Sequence, residues 1–235
     1  MVPWIVLPTY NEAGNIAHVA TAARAALPGA RVLVVDDDSP DGTGAIAAAL
    51  DGVEVLHRRR KEGLGAAYVA GFAHALAHGA DVVFEMDADG SHAASDLPRL
   101  LAAVEAGADV ALGSRYIPGG GVENWPLLRR AVSRAGCRYA RAVLGVPVRD
   151  LTGGFKCFRA GALEEIAFAT IRSHGYAFQV ELTYRALLRG LRVVELPIVF
   201  REREHGESKM TARIALEAAW LVPLLRVSRR TQALR

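Results

Sequence analysis

The stretch "RVLVVDDDSPDGT", Arg31 to Thr43, decides the fold. It opens with apolar, β-branched residues over a strand's length, passes through three successive acids, and ends in the turn residues Ser39, Pro40, Asp41 and Gly42 ahead of an Ala-rich helical pattern. A buried strand that ends in acids and turns directly into a helix is one unit of a repeating strand–helix series. Outward from it the series continues. Upstream lie "WIVLP" and a helix predicted near Ala13–Ala26; downstream lie a helix near Gly42–Leu50, "VEVLH", a helix near Ala66–His78, "DVVFEMD", a helix over Ser95–Ala106 and "DVALGSR". This alternation predicts an α/β, Rossmann-like protein, a mainly parallel sheet with helices on both faces. Ligands of such sheets bind beyond the carboxyl ends of the strands. "PTYNE", "VDDDSPDGT" and "MDADGSH" all stand at such ends and are expected to converge.

The second half is less regular: a Gly-rich loop "YIPGGGVENWP", a helix over Leu127–Leu144, "DLTGGFKCF", a helix over Ala177–Arg189, a single strand "LRVVELPIVF" and the polar loop "REREHGESK". There is no internal repeat and no low-complexity linker. At 235 residues, 51% hydrophobic and 23% charged, the chain excludes the disordered class and is long enough for one enzyme-sized unit. The expected division is a domain over residues 1–210 and a C-terminal amphipathic segment over residues 211–235. The net charge is +3, and all basic residues but Lys61, Lys156 and Lys209 are Arg, whose planar fork matches phosphate and carboxylate oxygens. Basic residues interleave with acids and no nucleic-acid motif is present, so no nucleic-acid partner is expected. Cys137 and Cys157, on a helix and a strand without metal spacing, read as reduced, partly buried thiols of a cytoplasmic protein. "MVPWIVLPTYNE" lacks the features of a signal peptide. No apolar run reaches the roughly 18 residues of a membrane span; Ile214 to Val227, broken by Glu217 and Pro223, reads as a surface segment that meets a membrane, a partner or its own domain.

"FEMDADGSH", Phe84 to His92, holds Asp87 and Asp89 at a strand end. A DxD pair is either a solvated strand end or a holder of Mg²⁺ or Mn²⁺, hard ions that take oxygen ligands and leave positions for substrate phosphates. The ordered company of the other strand-end clusters favours the metal, which would stabilise a departing diphosphate. Asp36 to Asp38 offer acceptors to a base or ribose, Tyr10 a stacking face and Glu12 an acceptor. "RRRKEGLGAAY" is either a phosphate-contacting loop or a solvated charge run. In "REREHGESK", Arg203 and Lys209 form a cation pair suited to a diphosphate. Arg115 in "GSRY", with Arg129, Arg130 and Arg134 in "LLRRAVSR", forms a second group of cations.

Taken together, "LPTYNE", "VVDDDSPDGT", "GLGAAY", "MDADGSH", "GSRY", "DLTGGFK", "GYAFQVE" and "REREHGESK" resemble the ordered motifs of dolichol-phosphate (polyprenol-phosphate) mannose synthases, inverting glycosyltransferases of family 2 with the GT-A fold. The resemblance runs from Val2 to about Met210. It implies transfer of mannose from GDP-mannose to a polyprenyl monophosphate, giving a β-linked lipid mannose donor and GDP. It further implies that Pro8, Tyr10, Glu12, Val35 and Asp37 surround the guanosine. Asp87, Ala88, Asp89 and Ser91 would then meet metal and diphosphate, with Arg203 and Lys209 on the phosphates and Arg115, Arg129 and Ser133 at the lipid phosphate. Some relatives have Gln at the position of Ser91, so a water or His92 would complete the metal shell here. Asp150 either orients the acceptor or sugar hydroxyls or caps its strand. Some relatives carry C-terminal transmembrane helices; this chain resembles the short form, expected at the cytoplasmic face of a membrane, docked peripherally or through an anchoring partner. A synthase using UDP-glucose or another sugar nucleotide, a transferase with a soluble acceptor, and a silent sugar-nucleotide-binding subunit remain as alternatives.

Overall fold

A computed structural model of the protein describes residues 1–171, 173, 175–202, 220 and 222–227. In chain order the strands are β1 (Pro3–Thr9), β2 (Arg31–Asp36), β3 (Val53–His57), β4 (Val82–Glu85), β5 (Val110–Ser114), β6 (Gly121–Val122), β7 (Lys156–Arg159), β8 (Val193–Pro197) and β9 (Val199–Phe200). The helices are α1 (Ile16–Ala26), α2 (Thr43–Ala48), α3 (Leu64–Ala77), α4 (Leu97–Glu105), α5 (Leu127–Leu144), α6 (Ala160–Ile166) and α7 (Gly175–Leu188). The main sheet has seven strands in the order β3-β2-β1-β4-β7-β5-β8, parallel except for β7, which runs antiparallel to both β4 and β5.

Strand β1 alternates between the two faces, as a period of two requires. Trp4 and Val6 pack with Leu33, Val35, Phe72, Phe158, Phe178 and Leu182 under α3, α6 and α7. Ile5 and Leu7 pack with Val32, Val34, Ile16, Ala20 and Leu100 under α1 and α4. Each apolar side chain of this kind contributes about 1.5–3 kcal/mol when fully buried. Helix α3 lies unusually close to the sheet: a Cβ on Gly71 would fall 2.4 Å from Val6 Cγ1, so only glycine lets the helix settle there. That approach fixes how far Tyr68, three residues earlier, reaches across the strand ends.

The chain leaves β1 towards β2 and β3 on one side and reaches β4 on the other, so the strand order reverses between β1 and β4. A crevice opens at such a switch point. Pairing of β1 with β4 ends at Val6 and Glu85, and Pro8, which has no N–H to donate, lies beyond it.

Two features differ from the sequence expectation. "LRVVELPIVF" is two strands: β8 pairs with β5 up to Pro197, and the chain then crosses to the small sheet, where β9 pairs with β6. Ile198 bridges the two, its N–H donating to Ser114 O and its carbonyl accepting from Gly121 N. The short helix α6 has no separate signal in the sequence. The expected boundary at residue 210 lies outside the described residues. Residues 222–227 are helical, with Val222 and Leu225 packed on Leu144, Val148 and Tyr184.

Candidate active site

The crevice between β1 and β4 holds an open cleft of about 220 Å³ whose walls include Pro8, Tyr10, Glu12, Asp37, Asp87, Ala88 and Asp89. The three strand-end clusters therefore meet, each delivered by the end of its own strand. Lys61, Gly63, Thr152, Gly154 and Gln179 complete the wall.

Asp87 and Asp89 sit at the floor. Asp87 accepts a 2.9 Å hydrogen bond from Tyr68 Oη, and Asp89 accepts the Ser91 N–H at 3.0 Å. Burial, then the negative charge of Asp89, pushes Asp87 up to about 7, so the pair resists carrying two charges without a cation. Ser91 Oγ is buried with no hydrogen-bond partner among the described residues. Two carboxylates and an orphaned hydroxyl fit a hard divalent ion that draws its remaining ligands from substrate phosphates. Among the described residues no group of three or more His, Cys, Asp or Glu is arranged to hold a metal. His92 lies beside the pair: its Nδ1 accepts the Asp87 N–H at 3.3 Å and its ring stacks on Phe155 with centroids 4.8 Å apart. Burial lowers the His92 pKa to about 4, so the ring is neutral and serves to hold the loop.

On the β2 side, Asp37 lines the cleft but its oxygens hold the following loop. Oδ2 accepts the N–H groups of Glu62 and Gly63, both at 3.1 Å, and Oδ1 pairs with Arg58. The basic run "RRRKEG" is thus largely internally paired, with Arg60 on Glu62, and its Lys61 Nζ lies 3.7 Å from the centroid of Tyr10, over the stacking face. Val35, which the family resemblance places beside the guanosine, has its side chain fully buried in the core. Glu12 accepts from Asn15 Nδ2 at 2.9 Å, and its N–H donates to Thr43 Oγ1, tying "PTYNE" to the start of α2.

Beneath the cleft lies a buried ionic cluster. Lys156 Nζ donates to Glu85 Oε2 at 3.2 Å, to Gly153 O at 2.6 Å and to Gln179, while Gln179 Nε2 donates to Glu85. Lys156 and Glu85 are fully buried. Burial disfavours both charges, moving Glu85 up and Lys156 down. The cluster fixes Gln179 and the Gly153–Gly154 turn that face Asp87.

The expected acceptor residues gather around Trp125. The Arg129 guanidinium lies 4.1 Å and that of Arg115 5.7 Å from its ring, Arg129 pairs with Glu202, and Ser133 Oγ accepts from Tyr116 Oη at 2.6 Å. Arg115 is buried, gripping Asp150 through Nε and Nη2 at 2.7 Å each, while its backbone N–H donates at 2.9 Å; Nη2 also reaches Thr152 Oγ1 at 2.8 Å. Asp150 is fully buried, and its carboxylate holds the Arg115 guanidinium and backbone N–H. Arg203 and Lys209 lie outside the described residues, as does half of Ile214 to Val227. Sequence reasoning does not single out Tyr68, Lys61, Glu85, Lys156, Thr152 or Gln179 individually; "GLGAAY", "DLTGGFK" and "GYAFQVE" contain four of them, but which side chain does what depends on partners far along the chain.

The chain belongs to glycosyl transferase family 2, whose model matches residues 4–167. It is a glycosyltransferase. It is 50% identical over 223 residues to the polyprenol monophosphomannose synthase of Mycolicibacterium smegmatis, covering 93% of this chain and 84% of that one. To the undecaprenyl-phosphate mannosyltransferase of Micrococcus luteus it is 49% identical over 234 residues, covering 98% and 96%. Glucosyl-3-phosphoglycerate synthase from Mycobacterium tuberculosis, solved with Mn²⁺, UDP-glucose and glycerol 3-phosphate, matches with a TM-score of 0.69 at 20% identity, covering 97% of this chain and 79% of that one. At that identity the likeness is one of fold, and the fold is GT-A.

Proposed function

We propose that the chain transfers mannose from GDP-mannose to a polyprenyl monophosphate with inversion, giving polyprenyl-phosphate β-mannose, a lipid-linked mannose donor, and GDP. One observation carries the reading: Pro8, Tyr10, Glu12 and Asp37 share a cleft with Asp87 and Asp89 in a chain about half identical to proteins named for polyprenol-phosphate mannose synthesis. Tyr10 takes the guanine face once Lys61 moves aside, and Glu12 and Asp37 border the nucleoside. Asp87, Asp89 and Ser91 would hold Mg²⁺ or Mn²⁺, an ion that offsets charge developing on the departing diphosphate. Ala88 lies between the two acids against the diphosphate, and Arg203 and Lys209 are its proposed further cations.

The acceptor makes no demand for a strong general base. A phosphate monoester has a second pKa near 6, so its nucleophilic oxygen is largely ionised at neutral pH. What the chain must do is hold that anion about 3 Å from the anomeric carbon and screen it from the donor phosphates. Arg115, Arg129 and Ser133 are the proposed holders, with phosphate replacing Glu202 on Arg129 and Asp150 keeping Arg115 in place as a positioning residue. Contact with the lipid is peripheral, on the cytoplasmic face or through an anchoring partner. Among the described residues no helix is long and apolar enough to cross a membrane, and Trp220, Leu224 and Val227 are exposed on the last helical segment.

The test is transfer of radiolabelled mannose from GDP-mannose into organic-extractable polyprenyl phosphate, with and without Mg²⁺ or Mn²⁺, for the natural chain and Asp89→Ala. Metal-dependent transfer that the variant lacks is expected. Transfer from another sugar nucleotide only would sink the mannose assignment.

A further inference from the structure

A second pocket, open to solvent and of about 290 Å³, lies beside Arg115 along α5. Arg115 and the solvent-exposed Arg134, Arg138, Arg141 and Arg149 line it, and among the described residues no carboxylate does. Elsewhere in the chain the arginines are mostly paired with acids: Arg31 with Glu54, Arg58 with Asp37, Arg99 with Asp96, Arg129 with Glu202, Arg159 with Asp109, Arg185 with Glu181 and Arg201 with Glu123. At this cavity the pattern breaks. Only Arg115 has a carboxylate, Asp150, which is fully engaged by it. The other nearby acid, Glu195, takes the backbone N–H groups of Arg149 and Asp150. Among the described residues the side chains of Arg134, Arg138, Arg141 and Arg149 form no ion pair. Like charges facing one concave space repel, so the arrangement is stabilised by an anion inside it. Planar forks converging from α5 and from the segment before Asp150 suit the several oxygens of a phosphate group.

We infer that this cavity is a second phosphate-binding site, separate from the donor cleft, with Arg134, Arg138, Arg141 and Arg149 as its contacts. It extends the proposed function without depending on it, because its cations are not those assigned to donor or acceptor, Arg115 apart. Its ligand is a phosphate group, whether the headgroup of an anionic lipid or a soluble phosphate.

The test compares three full-length proteins: the natural chain, Arg138→Gln/Arg141→Gln/Arg149→Gln, and a charge-matched control, Arg31→Gln/Arg189→Gln/Arg192→Gln. Thermal unfolding verifies that each is folded. Two probes are used, co-sedimentation with phosphatidylcholine vesicles with or without phosphatidylglycerol, and calorimetric titration with inorganic phosphate. Removing three cations that face a phosphate is expected to weaken binding about a hundredfold, far more than in the control. Loss of phosphatidylglycerol-dependent sedimentation, reproduced in the natural chain by millimolar competing phosphate, identifies a lipid headgroup. Loss of calorimetric binding with sedimentation unchanged identifies a soluble phosphate. Binding of both probes undiminished in the cavity variant, or diminished equally in the control, overturns the site.

Discussion

Asp150→Asn separates the two roles open to this acid. The substitution keeps size and shape but removes the charge opposite Arg115, a residue only 5% exposed in its side chain. Three hydrogen bonds converge on the carboxylate from Arg115 alone. An amide accepts through one oxygen, so at least one Arg115 donor faces an NH₂ group. Leaving one member of a buried pair uncompensated costs about 3–5 kcal/mol. For a chain of this size each kcal/mol shifts the melting temperature by about 2–4 °C, so a fall on the order of 10 °C is expected. Calorimetric or circular-dichroism melting measures it, beside the transfer assay. The double variant Arg115→Met/Asp150→Leu then distinguishes stability from catalysis: replacing both charges by apolar groups is expected to restore most of the lost stability, while transfer stays low because Arg115 is gone. A single variant that melts within about 2 °C of the natural chain refutes the reasoning, since a buried guanidinium cannot lose its counter-charge at so little cost.

Lys156→Met removes the cation facing Glu85 and is expected to cost about 3–5 kcal/mol; equilibrium denaturation measures it, and an unchanged midpoint would contradict the buried pair. Tyr68→Phe deletes the donor to Asp87 while leaving the ring packed, and should weaken Mn²⁺ binding about 10–100-fold, read by electron paramagnetic resonance of the free ion, with little change in folding. The pH dependence follows from Asp150, whose pKa burial raises but the Arg115 charge and hydrogen bonds lower further, to below the ordinary carboxylate value. A folded-state pKa below the unfolded one gives stability that is present above the unfolded value and lost as pH falls through the folded one. In acid titration followed by circular dichroism, the natural chain should therefore shed this contribution only below the usual carboxylate range, and Asp150→Asn should lack that part of the pH dependence.

Much of the fold is legible because the alternation of Trp4, Ile5, Val6 and Leu7 and the turn residues after Asp38 act locally. Convergence of Tyr10, Asp37 and Asp87 follows from a general property of parallel sheets and needs no knowledge of contacts. What escapes depends on distant partners. Glu85 and Lys156 read as ordinary charged residues, and their burial is tolerable only because 71 positions of sequence separation close to 3.2 Å. Tyr68 reads as a core aromatic of α3, yet its hydroxyl sits on Asp87. Nothing local in "DLTGGFKCF" says that its strand runs against its neighbours.

The position of β7 bears on how the molecule comes to exist. Strands β4 and β5 follow one another along the chain but never touch; both wait for residues 156–159 to enter between them. As the chain emerges during synthesis, β1 to β4 can assemble with their helices, while the far edge of β4 stays open until β7, which follows β5 in the chain, arrives. An open edge is a template for wrong partners. Fragments ending before Arg159 should therefore associate and precipitate, and the carboxylates at the tip of β4 would be held from one side only, so the catalytic floor and resistance to aggregation are completed by the same late strand.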